Sequence, residues 1–446
     1  MLEMAFLLVF LLIALIISYL VSNRDILAPD VLFIAGFVLA VIAALMNVKE
    51  WAINLSVTTI MIIIVGILSF MISGYIFRIL HPDKNSGKIR SEQLKEIKIP
   101  IWKNFIVISI GIITIVLYNK EIVRLAQYAD PYWQKLGAMV AYKQAISYGS
   151  VSVNSVINQM TKIVYSFGYI YMYIFMNNMF AADKNRKIRK NIQYVIPVVI
   201  FSIMSIYKGN RSDIIGLVVM MIFLYYMFLH KQIGWSKHIS GKMLKKVLIV
   251  FCIAMVVFYY MKDYVGRVSS LNFLAYITQY IGGSIELLDL YVKNSGIKHV
   301  TIPFSESLTG LIIGLKKIGL TSAILKKQLE FRYTPTGIYL GNVYTAFRRY
   351  YNDVGWIGVI MFPAILSWFM NKFYQKVKKY EGYSINTIFK TIVYASLIYV
   401  IPFQAMEDSF FINKITIGYL IELLLLFICV LFIFKKIRFR LSLIHI

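Results

Sequence analysis

The stretch MAFLLVFLLIALIISYLV, residues 4–21, decides the fold class of this chain, because it contains no charged residue. A helix that crosses a lipid bilayer needs about 17–25 predominantly apolar residues. The stretch lacks the basic start and the small-residue cleavage site of a secretory signal peptide. It therefore predicts a first membrane-spanning helix.

Similar apolar stretches recur along the chain and are separated by polar segments. The predicted spans number eleven and cover residues 4–21, 30–46, 56–79, 103–119, 154–180, 192–207, 212–230, 247–262, 354–370, 386–403 and 414–434. The expected fold is an all-α polytopic integral membrane protein, with residues 1–446 forming a single membrane domain.

The composition excludes other classes of protein. Of 446 residues, 59% are hydrophobic and 15% are charged, whereas a soluble domain averages about 45–50% and about 25%. A soluble enzyme, a disordered chain and a fibrous protein are therefore excluded. Both cysteines, Cys252 and Cys429, lie in apolar stretches, which argues against a disulfide framework and a thiolate metal site.

The net charge of +26 comes from short basic runs between the apolar stretches. This pattern is typical of cytoplasmic loops and does not indicate nucleic-acid binding. With eleven spans, the basic runs fall on one side of the membrane, with the amino terminus outside and the carboxyl terminus inside. These runs lie in residues 81–100, 181–191, 231–246, 371–380 and the tail after 434.

One exterior segment, residues 263–353, is much longer than the others. Two semi-apolar stretches within it are interrupted by glycine and charge. They predict short amphipathic helices, interfacial or re-entrant, that pack on the bundle and do not span the membrane. A large exterior cap on a helical bundle indicates a protein that acts on a substrate at the outer membrane face.

The first candidate motif is IYKGNRSDIIG, residues 206–216, in a tight exterior turn. Basic residues in a short exterior loop oppose the positive-inside bias. Arg211 at a helix amino terminus, beside Lys208 and Asn210, would form an anion site near the outer headgroups. The alternative is a turn whose arginine extends to lipid phosphate.

The second candidate motif is GNVYTAFRRYYNDVGWIG, residues 341–358, which leads into the ninth span. Two guanidinium groups, those of Arg348 and Arg349, could hold a diphosphate, and tyrosine rings suit the faces of sugars. The alternative is an interfacial aromatic belt anchored by arginines.

Further candidates are weaker. Lys162 lies within the fifth span, where a charge is costly and faces a polar interior. Arg267 and Arg332 belong to the large exterior loop. The residues that could act as a general base are Glu286, Asp289, Asp353 and His299, and the sequence does not choose among them.

At GNRSDIIG and GNVYTAFRRYYNDVGWIG the chain resembles the O-antigen polymerase family, also called oligosaccharide repeat unit polymerases. The likeness extends to INQMTKIVYSFGYIYMYIF, residues 157–175, and to the plan of a polytopic bundle with a large late exterior loop. An Arg–ten residues–Gly motif known in some members is absent. The eleventh residues after Arg267, Arg332, Arg348 and Arg349 are Thr278, Val343, Val359 and Ile360.

The resemblance implies a glycosyltransferase of the bacterial cytoplasmic (inner) membrane with its active face outward. It would join undecaprenyl-diphosphate-linked oligosaccharide repeat units into an O-antigen or capsule, without a cofactor or metal. Its expected partners are the lipid-linked oligosaccharide, membrane lipids, a chain-length regulator and a flippase. The alternatives are an O-antigen ligase-type transferase, a lipid-linked oligosaccharide flippase or other transporter, and a non-catalytic assembly protein.

Chemistry and resemblance together predict one exterior pocket that binds the diphosphate and stabilises its charge as the glycosidic bond breaks. The predicted catalytic residues are Arg211, Arg348, Arg349, Asp353, Glu286 and His299. The predicted substrate-binding residues are Lys208, Asn210, Arg267, Arg332, Tyr344, Tyr350, Tyr351 and Lys162.

Overall fold

The computed structural model describes residues 1–82, 94–148, 151–181, 190–235, 241–266, 270–294, 302–321 and 329–435. These residues are predominantly helical. The helices are α1 (Leu2–Val21), α2 (Pro29–Met46), α3 (Val57–Leu80), α4 (Ile101–Ala126), α5 (Pro131–Lys135), α6 (Ala138–Tyr148), α7 (Ser155–Ala181), α8 (Ile196–Tyr207), α9 (Arg211–Ile233), α10 (Gly241–Tyr264), α11 (Phe273–Asn294), α12 (Thr309–Lys317), α13 (Ala346–Lys379), α14 (Ile385–Leu397), α15 (Val400–Phe403), α16 (Phe411–Lys414) and α17 (Ile417–Phe434).

The chain is a multi-pass membrane protein by the length and hydropathy of its helices. Eight helical segments in the described ranges are long and apolar enough to cross a membrane. Helices also cover the predicted spans 154–180, 192–207 and 247–262, but they fall outside that set of eight. The predicted class is therefore confirmed, and the number eleven is not.

The chain divides into two compact units. The first comprises Met1–Glu92, Arg211–Tyr380 and Tyr394–Leu420; the second comprises Gln93–Asn210, Glu381–Val393 and Ile421–Ile446. The prediction of a single membrane domain stays a prediction.

The first unit has an aromatic core between α2, α3 and α13. The rings of Phe33 and Phe70 stack with centroids 3.9 Å apart, and those of Phe37 and Phe347 lie 5.0 Å apart. A Cβ at Gly66 would come within 2.3 Å of the Phe347 ring, so only glycine leaves room for it. This packing fixes the start of α13, which carries the second motif.

Polar contacts at one end of the first unit join segments that the sequence places in the cytoplasm. The buried carboxylate of Asp25, between α1 and α2, accepts hydrogen bonds from Tyr226 at 2.7 Å and Tyr374 at 2.8 Å. The amino group of Lys378, near the end of α13, lies 2.8 Å from the same carboxylate. Three helix ends of one predicted side are thereby held together.

Contacts at the other end of the first unit join segments that the sequence places outside. Asp289 on α11 accepts hydrogen bonds from the Ser56 amide at 2.7 Å and the Thr59 hydroxyl at 2.8 Å. The amide of Ala346 donates to the Gln404 carbonyl at 2.9 Å. The predicted exterior segments of this unit therefore meet one another, as an alternating topology requires.

Helices α11 and α12 lie in the two stretches of the large loop where short amphipathic helices were predicted, and α11 is longer than expected. It has 22 residues and an extensively buried surface. A Cβ at Gly282 would come within 2.4 Å of the Ala44 backbone nitrogen, so α11 packs directly on α2. The loop also contains a two-stranded antiparallel hairpin, β1 (Arg332–Tyr333) and β2 (Tyr339–Gly341), which the sequence did not predict.

The second unit shows how a buried cation can be a structural element. The amino group of Lys103, near the start of α4, donates to the carbonyls of Phe432 at 2.6 Å and Ile433 at 3.0 Å. Carbonyl groups at a helix carboxyl terminus have no intrahelical partners and carry partial negative charge. Lys103 therefore caps α17.

Candidate functional site

Two arginine-centred clusters in the described part of the chain contain predicted site residues, and both lie in the first unit. One, the Arg211 cluster, comprises Arg211, Phe258, Lys262, Tyr276 and Tyr280. The other, the Arg348 cluster, comprises Arg348, Glu306, Glu330, Arg332, Tyr291 and Tyr344.

Arg211 begins α9 and is 4% exposed. Its guanidinium donates to the Phe258 carbonyl at 3.1 Å, the Tyr276 hydroxyl at 2.7 Å and the Tyr280 hydroxyl at 3.1 Å. The guanidinium carbon also lies 4.0 Å from the Phe258 ring centroid. These aromatic and neutral contacts hold the side chain in one orientation.

The charge of Arg211 is not neutralised by its described contacts. All three of its described hydrogen-bond acceptors are neutral oxygens rather than carboxylates. Burial raises the pKa of Tyr276 above its ordinary value, so this phenol stays neutral at pH 7. The ammonium of Lys262 lies 5.5 Å from the centroid of the same ring. The Arg211 guanidinium therefore has only neutral oxygens among its described acceptors, and it suits an anion.

An apolar groove of about 270 Å³ extends from Arg211 between α9 and α10. Apart from Arg211, its walls are aliphatic, methionine and phenylalanine side chains. On α9 they run from Arg211 to Met221, which is about 15 Å along a helix. Arg211 stands at one end, so the groove combines a cationic end with an apolar channel.

The Arg348 cluster has a different electrostatic character. Arg348 is 3% exposed and forms ion pairs with Glu306 and with Glu330, the latter at 2.9 Å. Its guanidinium lies 4.5 Å from the Tyr291 ring centroid. Arg332 donates to the Leu290 carbonyl at 2.9 Å and pairs with Glu330 at 3.3 Å. Two carboxylates therefore already occupy the anion-binding edge of Arg348.

The two carboxylates of this cluster differ in their surroundings. Burial raises the pKa of Glu306, although Arg348 opposes that effect. Burial also acts to raise the pKa of Glu330, but Arg348, a backbone hydrogen bond and Arg332 together outweigh burial, and the net pKa is lowered. Glu330 is the more exposed of the two carboxylates and lies at the edge of the cluster.

A break in α13 positions the second motif. Val354 and Gly355 have non-helical backbone angles, and Gly355 has a φ of +62°, which favours glycine. A Cβ at Gly358 would come within 2.1 Å of the Tyr350 carbonyl oxygen. The residues before the break therefore fold back closely on those after it.

Asp353 and Arg349, whose catalytic roles stay predictions, make structural contacts with the segment around Glu306. The carboxylate of Asp353 accepts hydrogen bonds from the amides of Glu306 at 3.0 Å and Ser307 at 2.7 Å. Arg349 donates to the Glu306 carbonyl at 3.2 Å. Both residues hold the segment that presents Glu306.

The tyrosines predicted to face sugars are buried. Tyr344, Tyr350 and Tyr351 are 3%, 1% and 6% exposed. Tyr344 accepts a hydrogen bond from Arg332 at 3.0 Å, and Tyr350 donates to Gln404 at 2.6 Å. Their ring faces are covered by protein, and their predicted role in binding sugars stays a prediction.

The prediction that one pocket contains both Arg211 and Arg348 is wrong. Arg211 contacts α11 at Tyr276 and Tyr280, whereas Arg348 contacts the same helix at Tyr291. Eleven to fifteen residues of helix at 1.5 Å each separate these contacts by about 16–22 Å. The two clusters are distinct sites on one helix.

The remaining predicted residues are divided among several places. Glu286 is 1% exposed, burial raises its pKa to about 8, and its predicted catalytic role stays a prediction. Lys208, Asn210 and Lys162 belong to the second unit, where the Lys208 ammonium lies 5.1 Å from the Tyr165 ring centroid. Arg267 and His299 lie outside the described residues.

Sequence reasoning missed Phe258, Tyr276 and Tyr280 around Arg211. The i, i+4 spacing of Tyr276 and Tyr280 places both hydroxyls on one helix face, which was an available signal. Among the described residues, no group of three or more His, Cys, Asp or Glu side chains is placed to hold a metal ion. No protein-family model, curated protein or solved structure matches the chain.

Proposed function

We propose that the protein is a membrane glycosyltransferase that joins lipid-diphosphate-linked oligosaccharide repeat units into a surface polysaccharide. The observation that carries the proposal is the groove between α9 and α10 with Arg211 at its end. A lipid diphosphate is an anion attached to a long apolar chain. In the groove, Arg211 would bind the diphosphate, and the apolar channel that extends from it would bind the lipid chain.

The chemistry follows from the position of the charge. The donor already carries a diphosphate leaving group, so breaking its glycosidic bond places growing negative charge on the diphosphate oxygen. A preorganised guanidinium stabilises charge that develops in the transition state. Arg211 is preorganised by three hydrogen bonds and an aromatic ring, and its charge is available to that oxygen.

The Arg348 cluster supports a positioning role in this proposal. Its arginines are paired with carboxylates that belong to the large exterior loop. These ion pairs hold the loop segments against the start of α13 and against α11. Placing the acceptor sugar in line with the donor would depend on that arrangement.

The test is transfer by purified protein in liposomes that contain a short lipid-linked repeat unit. We expect a gel ladder of multiples with the wild type and loss of at least 100-fold in product with Arg211→Ala, since removing one such donor typically costs about 10²–10³ in rate. Arg211→Lys keeps the charge without the planar fork and should retain part of the activity.

Arg124→Ala is the matched control, because Arg124 is a half-exposed arginine at the end of α4 that pairs with Glu121 at 2.6 Å. It should leave the ladder unchanged. A wild-type ladder from Arg211→Ala would contradict the assigned site. Transfer to another acceptor without laddering would indicate a ligase, and translocation without bond formation would indicate a transporter.

A further inference from the structure

The hairpin of β1 and β2 has two faces with different chemistry. Arg332 points inward to the Arg348 cluster, where it donates to Tyr344 at 3.0 Å. Phe331, Tyr333 and Tyr339 lie on the other face and are 40%, 60% and 47% exposed. We call these three rings the aromatic platform. Alternation along a strand explains the division, since neighbouring side chains point to opposite faces.

The rings of the platform form a continuous cluster. Tyr333 and Tyr339 are paired directly across the strands, and their centroids are 5.3 Å apart. The rings of Phe331 and Tyr339 are nearly parallel, at 17°, with centroids 6.0 Å apart. Three adjacent, solvent-exposed rings on one short hairpin exceed the scattered apolar exposure that is ordinary at a protein surface.

The platform is held by contacts to the turn and the backbone of the hairpin. Thr334 closes the turn through hydrogen bonds with Ile338 at 2.8 and 2.9 Å. The Thr336 hydroxyl donates to the Glu50 carbonyl at 2.8 Å, and the Gln279 amide donates to the Tyr339 carbonyl at 2.9 Å. A surface fixed in this way loses little conformational entropy when it binds a ligand.

We propose that the aromatic platform binds the oligosaccharide part of the substrate or product by stacking on pyranose rings; this rests on the proposed function. One face of a pyranose presents C–H groups, which the electron-rich face of an aromatic ring attracts. The hydroxyl groups at the edge of the sugar stay in contact with water, because the rings lie at an exposed surface.

A glycan fits the platform better than lipid does. The hairpin turn contacts the backbone of Glu50, in the segment beyond the end of α2. The hairpin is also held to α11 at Gln279, next to Tyr280 of the Arg211 cluster, so the platform lies beside the site proposed for the lipid diphosphate. Tyrosines also line membrane interfaces, so an interfacial role is an outcome that the experiment must separate.

The experiment measures binding without requiring transfer. The probe is the water-soluble oligosaccharide released from the lipid-linked repeat unit by mild acid, titrated calorimetrically against the full chain in nanodiscs. We expect the double variant Tyr333→Ala, Tyr339→Ala to bind at least tenfold more weakly. The double variant Tyr333→Phe, Tyr339→Phe keeps the rings and should bind within threefold of the wild type.

The control variant is Tyr132→Ala, which removes a ring that is 63% exposed on α5, outside the platform. It should bind like the wild type. Absence of binding by the wild type would contradict the proposal that the platform binds glycan. Equal binding by the wild type and the double alanine variant would contradict it as well. Both results are expected if the rings only contact lipid headgroups.

The two proposals fail separately. Wild-type binding of the oligosaccharide without any ladder in the liposome assay would reject the transferase and leave the platform intact. A wild-type ladder with binding that does not depend on Tyr333 and Tyr339 would reject the platform and leave the transferase intact.

Discussion

At the scale of single residues, the two clusters surround their central arginine with groups of different charge. Arg211 is bound by neutral oxygens and aromatic rings, whereas Arg348 is bound by two carboxylates. An added anion would gain a Coulomb interaction at the first without displacing a carboxylate, and at the second it would have to compete with one. The partners of an arginine therefore decide its role.

Asp408 provides a prediction about pH. This carboxylate follows α15, is 1% exposed and accepts a hydrogen bond from the Phe411 amide at 3.0 Å. Burial raises its pKa to about 7, although Arg349 and Tyr350 oppose that effect. In the unfolded chain an aspartate has a pKa of about 3.9.

The folded state therefore favours the protonated form of Asp408. Its contribution to stability is fully present below about pH 4 and is lost as the pH rises through about 7. Asp408→Asn is neutral at every pH and keeps the acceptor for Phe411. We expect thermal unfolding in detergent to show that the variant loses less stability than the wild type between pH 5 and pH 8, by on the order of 2 kcal/mol. Parallel pH profiles of the two proteins would contradict this account.

At the scale of elements, α11 is the helix on which both clusters depend. Its first half supplies Tyr276 and Tyr280 to Arg211, and its second half supplies Tyr291 to Arg348. Between them it packs on α2 at Gly282. The distance between the clusters is thus determined by the rise of one helix.

Two adjacent glycines of α11 test this packing. A Cβ at Gly282 would meet the Ala44 nitrogen at 2.4 Å and the Ala43 carbonyl carbon at 2.7 Å, and backbone cannot move aside cheaply. A Cβ at Gly283 would have its nearest neighbour at 3.8 Å. Gly282→Ala should destabilise the protein by about 1–3 kcal/mol through overpacking.

Gly283→Ala is the matched control and should raise stability by about 0.5–1 kcal/mol, because alanine is the better helix former. Size-exclusion profiles and melting temperatures in detergent measure both variants. Equal stability of the two would mean that α11 does not approach α2 as closely as described.

At the scale of the whole molecule, the topology makes the functional proposal testable. The Arg211 and Arg348 clusters must both lie outside if they act on a substrate at the outer membrane face. The sequence predicts that residues 47–55 lie outside and residues 380–385 lie in the cytoplasm. The same alternation of spans places both arginine clusters on the side of residues 47–55.

Cysteine labelling in intact cells measures these sides. Cys252 is exposed and would first be replaced by serine. Glu50→Cys and Glu381→Cys then introduce single exposed thiols at exposed positions. A membrane-impermeant maleimide should label the first in intact cells and the second only after permeabilisation. Labelling of both from the same side would reject the alternating topology.

The fold class could be predicted from sequence because burial in lipid depends on local composition. Residues 4–21 have almost the same bounds as α1, and residues 30–46 match α2 within a residue. Each apolar stretch satisfies its backbone hydrogen bonds internally as a helix, whatever its neighbours are. The composition of each segment was therefore sufficient to predict that it forms a helix.

The candidate site could be predicted only in part. The sequence identified Arg211 and Arg348 as unusual, since each stands near an apolar stretch on the predicted outer side. It placed them in one pocket and assigned sugar contacts to Tyr344 and Tyr350, which are buried. Segments distant in the sequence, which carry Glu306, Glu330 and the aromatic platform, supply the contacts that change these assignments.

The sequence by itself determined that this is a helical membrane protein with arginines in two unusual motifs, because hydropathy and charge act through each segment's own composition. Only the tertiary structure decided which arginine is neutralised, which tyrosines are exposed and how far apart the clusters lie. The physical reason is that charge pairing, burial and distance depend on atoms contributed by segments that are remote along the chain.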